Sequence, residues 1–291
     1  MIQFLASQYP TKTLTEVLSP YGWVVVVSLL VSVISTPLFR ALALRLKIVD
    51  EPDDFLKPHG RPIAYLGGLG VYLGWVAGLM VLLVLVPQVE RRWLYGLALA
   101  GGLAMLVGLA DDLKDIPPWL KLTGQLASAG VLLAFGIGQD VLIVFLRPFG
   151  FTVPPWVLWS VSSVATVFLV IAASNAANLL DGMDGLCSGV TGIIALGFVV
   201  LATHLGMYEF SSTRDPVRIV AALSMVGAVC GFLPYNFSPA TIFLGDAGSM
   251  LLGFFAAAMM LMFGERGILR WMLGAGMIFA LPSLDTGLAL V

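Results

Sequence analysis

Residues 174–189, SNAANLLDGMDGLCSG, concentrate polar side chains in a largely apolar chain, and they are the first candidates for chemistry. Asn175, Asn178, Asp181 and Asp184 follow at intervals of three residues where two hydrophobic runs meet. In one continuous helix Asn175 and Asp184 would point in opposite directions, because nine residues make roughly two and a half turns. A glycine directly after Asp181 favours a break. We therefore predict that the asparagines end a helix and that the aspartates fold back over them as a polar cup.

A second acidic group lies in GLADDLKD, residues 108–115. Asp111 and Asp115 are four residues apart and share a helix face, with Asp112 beside them. Neighbouring carboxylates repel each other unless a cation or a shared proton lowers the cost. Mg²⁺ suits this group, because it takes oxygen ligands and is usually held by one or two carboxylates plus substrate phosphates. The alternative is a solvated loop in which Lys114 forms a charge pair.

Asp246, in the segment FLGDAGS, stands where a late apolar run begins. An aspartate at this position often caps a helix. The same position directs backbone N–H groups and the positive helix end toward an anion, so the two roles are compatible. A cation with a phosphorylated substrate is the simplest explanation for both acidic groups, this segment and the glycine-containing KPHGRPIAYLGG at residues 57–68.

Three basic residues and one intramembrane carboxylate complete the candidates. His59 and Arg61 precede a Gly-Gly pair, and Lys121 lies early in the fourth apolar run. Each is either a ligand or an interfacial anchor to lipid headgroups. Asp285 lies deep in the last apolar run, where a carboxylate is costly and therefore suggests function.

Composition places these residues in a membrane. Hydrophobic residues make up 59% of the 291 residues, and the mean hydropathy of +0.98 exceeds what a soluble core can hide from water. Apolar runs of about 20 residues match helices that cross the bilayer, whereas barrel strands would be shorter and alternating. The predicted fold class is all-α, a polytopic transmembrane helix bundle. A net charge of −2 without a basic stripe gives no sign of a nucleic-acid partner.

The apolar runs also predict the topology. Five basic residues between positions 40 and 61 follow the first run, and only Lys12 precedes it, which favours an outside N-terminus, although the remaining loops nearly cancel this bias. The polar segments would then share one face, which we expect to be the cytoplasmic face of a bacterial-type plasma membrane. Nine spans are predicted, near 21–44, 65–86, 93–110, 119–137, 157–179, 185–205, 217–236, 247–264 and 268–290.

Other parts of the chain carry smaller predictions. Residues 139–156 contain strand-like residues around Pro-Phe-Gly and predict a small extracellular hairpin. Cys187 and Cys230 are expected to be small buried hydrophobes rather than a disulfide or a metal site. Without a repeat or a linker, residues 1–291 are expected to form a single domain. Because the chain stops at Val291 inside an apolar run, we expect a C-terminal truncation with the last helices missing.

Together these motifs resemble those of the polyprenyl-phosphate N-acetylhexosamine-1-phosphate transferases, which belong to glycosyltransferase family 4 and include the phospho-MurNAc-pentapeptide translocase. GLADDLKD resembles the family's Asp-Asp-x-x-Asp loop, NAANLLDGMDGL its Asn-x-x-Asn-x-x-Asp-Gly-x-Asp-Gly loop, and YNFSPATIFLGDAGS its Tyr-Asn-x-x-Pro-Ala…Gly-Asp-x-Gly-Ser segment. The likeness extends from His59 to Asp285. It implies transfer of a sugar-1-phosphate from a UDP-sugar such as UDP-GlcNAc to a polyprenyl phosphate such as undecaprenyl phosphate, with release of UMP, at the start of cell-wall or polysaccharide assembly.

The resemblance implies roles for the acidic residues. Asp246 would be the main Mg²⁺ ligand, with Asp111 beside it and Mn²⁺ as a substitute metal. Asp111 and Asp112 would orient or deprotonate the lipid phosphate, and Asp181 would line the diphosphate region. A direct displacement and a route through an aspartyl-phosphate both remain open.

The resemblance assigns substrate contacts to a further set. Asn178 would line the nucleotide-sugar region, Asp184 would contact uracil, Phe243 would stack on it, and Asn236 would help to hold the site. Gly60 stands where the family commonly has a lysine. In this chain the neighbouring arginine would take the place of that lysine. The basic members of the set are His59, Arg61 and Lys121.

Two alternatives belong to other classes. An intramembrane carboxylate such as Asp285 and glycine-interrupted helices are also typical of ion-coupled transporters. Those proteins bind their substrates and ions near the bilayer midplane, whereas most polar residues here lie at loop ends. An inactive scaffold that retains the family's fold is the second alternative. CDP-alcohol phosphotransferases are excluded, because their Asp-Gly-x-x-Ala-Arg pattern is absent after Asp181. The sequence leaves a homodimer open.

Overall fold

The computed structural model describes residues 10–51, 62–86, 91–208, 214–264 and 269–280. Short 3-10 turns at Ser19–Tyr21 and Arg147–Phe149 accompany the helices. Two short strands, β1 Val49–Asp50 and β2 Ile63–Ala64, form an antiparallel pair in which Val49 lies opposite Ala64. The helices are α1 Leu14–Leu18, α2 Gly22–Leu46, α3 Gly67–Leu85, α4 Arg91–Lys114, α5 Pro118–Ala134, α6 Ile143–Leu146, α7 Pro155–Leu180, α8 Leu186–Gly206, α9 Asp215–Asn236, α10 Gly245–Gly264 and α11 Leu269–Ile278.

The described helices confirm the all-α membrane bundle. Seven helical segments within the described ranges are long and apolar enough to cross a membrane, and they match seven of the predicted spans. The fourth predicted span corresponds to α5, which has 17 residues. The ninth corresponds to α11, and residues 281–290 of that span lie outside the described residues.

Helix α10 forms the centre of the bundle, and its apolar window is entirely buried. It packs against α3, α4, α7 and α8. Small residues allow the close approach: a Cβ added at Gly108 of α4 would clash with the backbone of Asp246, and one added at Gly253 would clash with the backbone of Ala173 in α7. In membranes, helices associate through such close packing. These contacts bring the start of α10 to the ends of α4 and α7.

The helix break predicted within the polar stretch is present. Helix α7 contains both asparagines and ends at Leu180, and Asp181 follows as its C-cap residue. A turn leads to Gly185, whose φ of 72° starts α8 in a backbone conformation that favours glycine. The glycine-containing turn therefore reverses the chain, and Asp181 and Asp184 lie beyond the helix end.

Two expectations about other segments are wrong. Residues 139–156 contain α6 and a 3-10 turn rather than a hairpin. Pro148 lacks the N–H that a strand ladder needs and has a φ that suits a helical turn, which Gly150 ends at a φ of 69°. Cys187 is buried but Cys230 is exposed, and both are free thiols. An apolar side chain on a membrane helix loses little by facing lipid, which is as apolar as the protein interior.

Candidate active site

The ends of α4 and α7 and the starts of α5 and α10 meet at one end of the bundle. Lys121 Nζ lies 2.5 Å from Asp111 Oδ2 and 2.5 Å from Asp246 Oδ2. Asn178 Nδ2 donates to Asp246 Oδ1 over 2.8 Å and to Ser249 Oγ over 3.1 Å. The predicted convergence of residues far apart in the chain is therefore confirmed. Asp111 pairs with Lys121 rather than with Lys114, so the solvated-loop alternative is wrong.

Asp112 closes the N-terminus of α10. Its Oδ1 accepts a hydrogen bond from the backbone N–H of Asp246 over 2.8 Å, and its Oδ2 accepts one from Ala247 over 3.0 Å. A carboxylate at this place satisfies two unpaired N–H groups and the positive end of the helix dipole. Asp246 lies in the first turn instead of acting as the cap. The cap comes from α4, which locks the two helices together.

Asp181 brings a further carboxylate close to this group. Burial, followed by the negative charges of Asp246 and Asp112, raises the pKa of Asp181 to about 8. No hydrogen bond joins its carboxylate to another described side chain. Asp181 is therefore protonated for much of the time at neutral pH when no cation is present, and a bound cation would favour its ionised form.

The donor set fits a divalent cation that is shared with a substrate. Within the described ranges, no three histidine, cysteine, aspartate or glutamate side chains form a ready metal cage. Asp111 and Asp246 instead direct one oxygen each at a single cationic group. Mg²⁺ is usually held by one or two carboxylates together with waters and substrate phosphates, and Mn²⁺ prefers similar oxygen ligands.

The loop between α9 and α10 is held next to this group. Asp184 Oδ2 accepts from the backbone N–H of Ala240 over 3.0 Å. The buried Asn236 accepts from Ser188 Oγ over 2.7 Å and donates to the carbonyl of Ile242 over 3.2 Å. The side chains of Asp184 and Asn236 therefore hold this loop in position.

Phe243, at the end of this loop, lies beside a residue that the sequence candidates did not include. Its backbone N–H donates to the carbonyl of Ala64 in β2 over 2.8 Å. The Phe243 ring lies 5.8 Å from the Tyr65 ring, centroid to centroid. Burial, together with the neighbouring Asp50, raises the pKa of the Tyr65 phenol. In the sequence, the signal that could have identified Tyr65 is its place directly before Leu-Gly-Gly.

Gln125 is a second residue that sequence reasoning missed. It lies one turn after Lys121 on α5 and is 2% exposed. Its Oε1 accepts from Asn175 Nδ2 over 3.2 Å, and the same Nδ2 donates to the carbonyl of Ile171 over 2.8 Å. Asn175 therefore connects α7 to α5 instead of lining the predicted cup. A polar residue in an apolar run, four positions after a lysine, was the signal.

Three sequence candidates lie outside the described residues: His59, Arg61 and Asp285. Their predicted roles stay predictions. Asp115, the third aspartate of GLADDLKD, is exposed and follows the end of α4 with a φ of 48°. Of the GLADDLKD carboxylates, the structure brings Asp111 and Asp112 to the site.

Comparisons with known proteins show the family of this chain. A family model described as glycosyl transferase family 4 matches residues 94–264. The decaprenyl-phosphate N-acetylglucosaminephosphotransferase of Mycolicibacterium smegmatis is 32% identical over 279 residues, 90% of this chain and 68% of the relative. A phospho-N-acetylmuramoyl-pentapeptide-transferase of Bacillus licheniformis is 30% identical over 248 residues, 79% of this chain and 71% of the relative.

A third relative is the probable undecaprenyl-phosphate N-acetylglucosaminyl 1-phosphate transferase of Bacillus subtilis. It is 28% identical over 272 residues, 91% of this chain and 70% of the relative. The family model covers the four helix ends that build the site, from α4 to α10. The chain belongs to glycosyl transferase family 4.

Proposed function

We propose that this protein transfers an N-acetylhexosamine-1-phosphate from a UDP-sugar to a polyprenyl phosphate and releases UMP. The observation that carries the proposal is the gathering of Asp111, Asp112, Asp181 and Lys121 around Asp246 at one end of a membrane bundle. The relatives support it, because their names specify decaprenyl phosphate or undecaprenyl phosphate together with N-acetylglucosamine phosphate transfer.

The reaction joins two anions, so charge neutralisation and alignment supply most of the catalysis. An oxygen of the lipid phosphate attacks the phosphorus that carries the sugar, and the bond to the oxygen bridging the two phosphates of the UDP-sugar breaks. The phosphate monoester is already largely ionised at neutral pH. When bound, Mg²⁺ would supply positive charge at Asp246 and Asp111.

The described side chains divide the remaining tasks. Asp112 is engaged by two backbone N–H groups, so its task is to hold Asp246 in position. Asn178 fixes the orientation of the Asp246 carboxylate. Asp181, whose pKa is raised to about 8, is a carboxylate that can exchange a proton near neutral pH. Lys121 contributes the cationic charge of the described site residues.

We place this site at the cytoplasmic leaflet, with the N-terminus outside. Arg40, near the end of α2, donates from Nε to the carbonyl of Thr241 over 3.0 Å, so the basic end of α2 lies at the same end of the bundle as the site. Basic residues prefer cytoplasmic loops. An Asp115→Cys variant, in a background without Cys187 and Cys230, tests this orientation: a membrane-impermeant maleimide should label it only in opened cells. Labelling of intact cells would contradict the placement.

The activity test uses membranes that contain the protein, Mg²⁺, UDP-GlcNAc and undecaprenyl phosphate. UMP release should require both substrates, and the lipid product should gain the mass of one N-acetylhexosamine phosphate. Asp115→Asn, an exposed change outside the site, is the matched control and should retain activity. Uptake of solute into sealed vesicles without a lipid product would instead support the transporter alternative.

A further inference from the structure

Lys121 differs from the other groups that bond Asp111, Asp112 and Asp246. Both oxygens of Asp112 accept from backbone N–H groups, and Oδ1 of Asp111 accepts from a backbone N–H over 3.0 Å. Oδ1 of Asp246 accepts from Asn178. The two remaining oxygens of Asp111 and Asp246 face the Lys121 ammonium. Among these partners, the lysine is the one on a long and flexible side chain.

We propose that Lys121 is an exchangeable internal counterion, which holds the cation position between Asp111 and Asp246 and yields it when a divalent cation binds. The displaced ammonium is then free to pair with phosphate oxygens of the substrate. This inference rests on the proposed function, because it presumes a divalent cation at these carboxylates.

Competition for the same oxygens follows from the geometry. The ammonium lies 2.5 Å from one oxygen of Asp111 and 2.5 Å from one oxygen of Asp246. A Mg²⁺ ion that bridged these oxygens would lie about 2 Å from each, where two positive charges cannot share the position. One cation must leave, and a lysine is a compact point charge on four rotatable carbons.

The surroundings allow the side chain to leave while the backbone stays. The Lys121 side chain is 24% exposed, so it has access to the open side of the site. One turn further on, Gln125 is buried and bonded to Asn175 of α7, which holds the α5 backbone in place. The backbone N–H groups of Asp246 and Ala247 cannot follow the lysine, because they move only if the start of α10 unwinds.

The exchange would impose an order on binding. Without a divalent cation, Lys121 offsets part of the repulsion among Asp111, Asp112, Asp181 and Asp246, and its ammonium is unavailable to the substrate. After the exchange, the same charge meets the phosphates. The metal-free site is thereby stabilised, and the phosphate-binding cation appears only when the metal position is filled.

The test compares metal binding in the absence of substrate. Mg²⁺ binding is followed by calorimetry, and Mn²⁺ binding by its free-ion paramagnetic resonance signal, for the wild type and for Lys121→Met. The variant should bind metal on the order of tenfold more tightly, because no internal cation competes. It should also melt at a lower temperature in EDTA. Lys121→Arg, whose planar fork grips two carboxylates, should bind metal no more tightly than the wild type.

Lys114→Met is the matched control, because it removes an equal charge at an exposed position near the site and should leave metal affinity unchanged. If methionine at position 121 prevents folding, Lys121→Gln replaces it. Unchanged or weaker metal binding by Lys121→Met overturns the exchange. The proposed transferase is not overturned if UMP release by the wild type still needs metal. Absence of metal binding in every variant and in the wild type overturns the exchange, whereas UMP release that does not require both substrates overturns the transferase.

Discussion

The two ends of α10 are both anchored by charged side chains from other helices, but the two clusters are built differently. At the C-terminal end, Arg218 is 1% exposed and donates from Nη1 to Asp215 over 2.7 Å. Its Nε and Nη2 donate to the carbonyl of Met262 over 2.9 and 2.6 Å, and the guanidinium lies 5.3 Å from the Trp93 ring centroid. Each of these partners suits a cation at a helix C-terminus.

The N-terminal end of α10 instead has an excess of negative charge. Asp112 caps the helix, Asp111 and Asp246 share Lys121 as their described cation, and Asp181 is a further carboxylate near Asp246. The side chains of Lys121 and Asp246 are 24% and 28% exposed, whereas those of Arg218 and Asp215 are almost fully buried. A cluster whose charges balance and whose hydrogen-bond donors are engaged holds a helix end in place. An unbalanced and accessible one is suited to take up a cation and an anionic substrate.

The largest expected effect is at the unbalanced end. Asp246→Asn keeps the shape of the side chain but removes the charge that faces Lys121. We expect the rate of UMP release to fall at least about a thousandfold, in line with the loss of a central electrostatic group. The melting temperature should change little. A variant that retains the wild-type rate would show that Asp246 is not part of the chemistry.

Arg218→Met breaks the balanced cluster. It leaves Asp215 buried without this partner and frees the Met262 carbonyl, so we expect a loss of about 3 kcal/mol in the free energy of unfolding. The measurement is chemical unfolding in detergent. Activity per folded molecule should persist. The double variant with Asp215→Asn should recover part of the loss, and an absence of recovery would argue against the ion pair as the cause.

Asp181 should contribute to the pH response of the protein. Its pKa is about 8 in the folded protein and near 3.8 when unfolded, so the folded form binds a proton between these values that the unfolded form has lost. Stability in EDTA should therefore fall as pH rises from 6 to 8. Asp181→Asn should make this slope shallower in thermal melting curves. An equally steep slope in the variant would assign the proton to another group.

The smallest expected effect concerns the positioning of Lys121. Gln125→Ala removes the bond to Asn175, and a buried hydrogen bond is worth about 1 kcal/mol. We expect kcat to fall less than about tenfold, with little change in KM. Ser128→Ala is the control, since Ser128 bonds the Ala100 carbonyl one turn further along α5. Equal losses in both variants would indicate a general weakening of α5.

Much of this molecule could be predicted from its sequence, because the relevant physics is local. The apolar runs determine the spans, since any helix of that length and polarity partitions into a bilayer. The end of α7 at Leu180 follows from the glycine-rich turn behind it. The motif residues predicted convergence of the acidic groups at one face. The hairpin prediction failed because the pattern around Pro148 suits a helical turn as well as a strand.

The tertiary structure alone decided which partner each polar group has. Asp112 caps a helix 134 residues away, and Lys121 bonds Asp246 across 125 residues. Such pairings depend on how each helix is rotated and how closely it approaches its neighbours, which is set by packing at positions such as Gly108. Local periodicity does not encode this, because a helix of the same sequence can present the same residues to several neighbours.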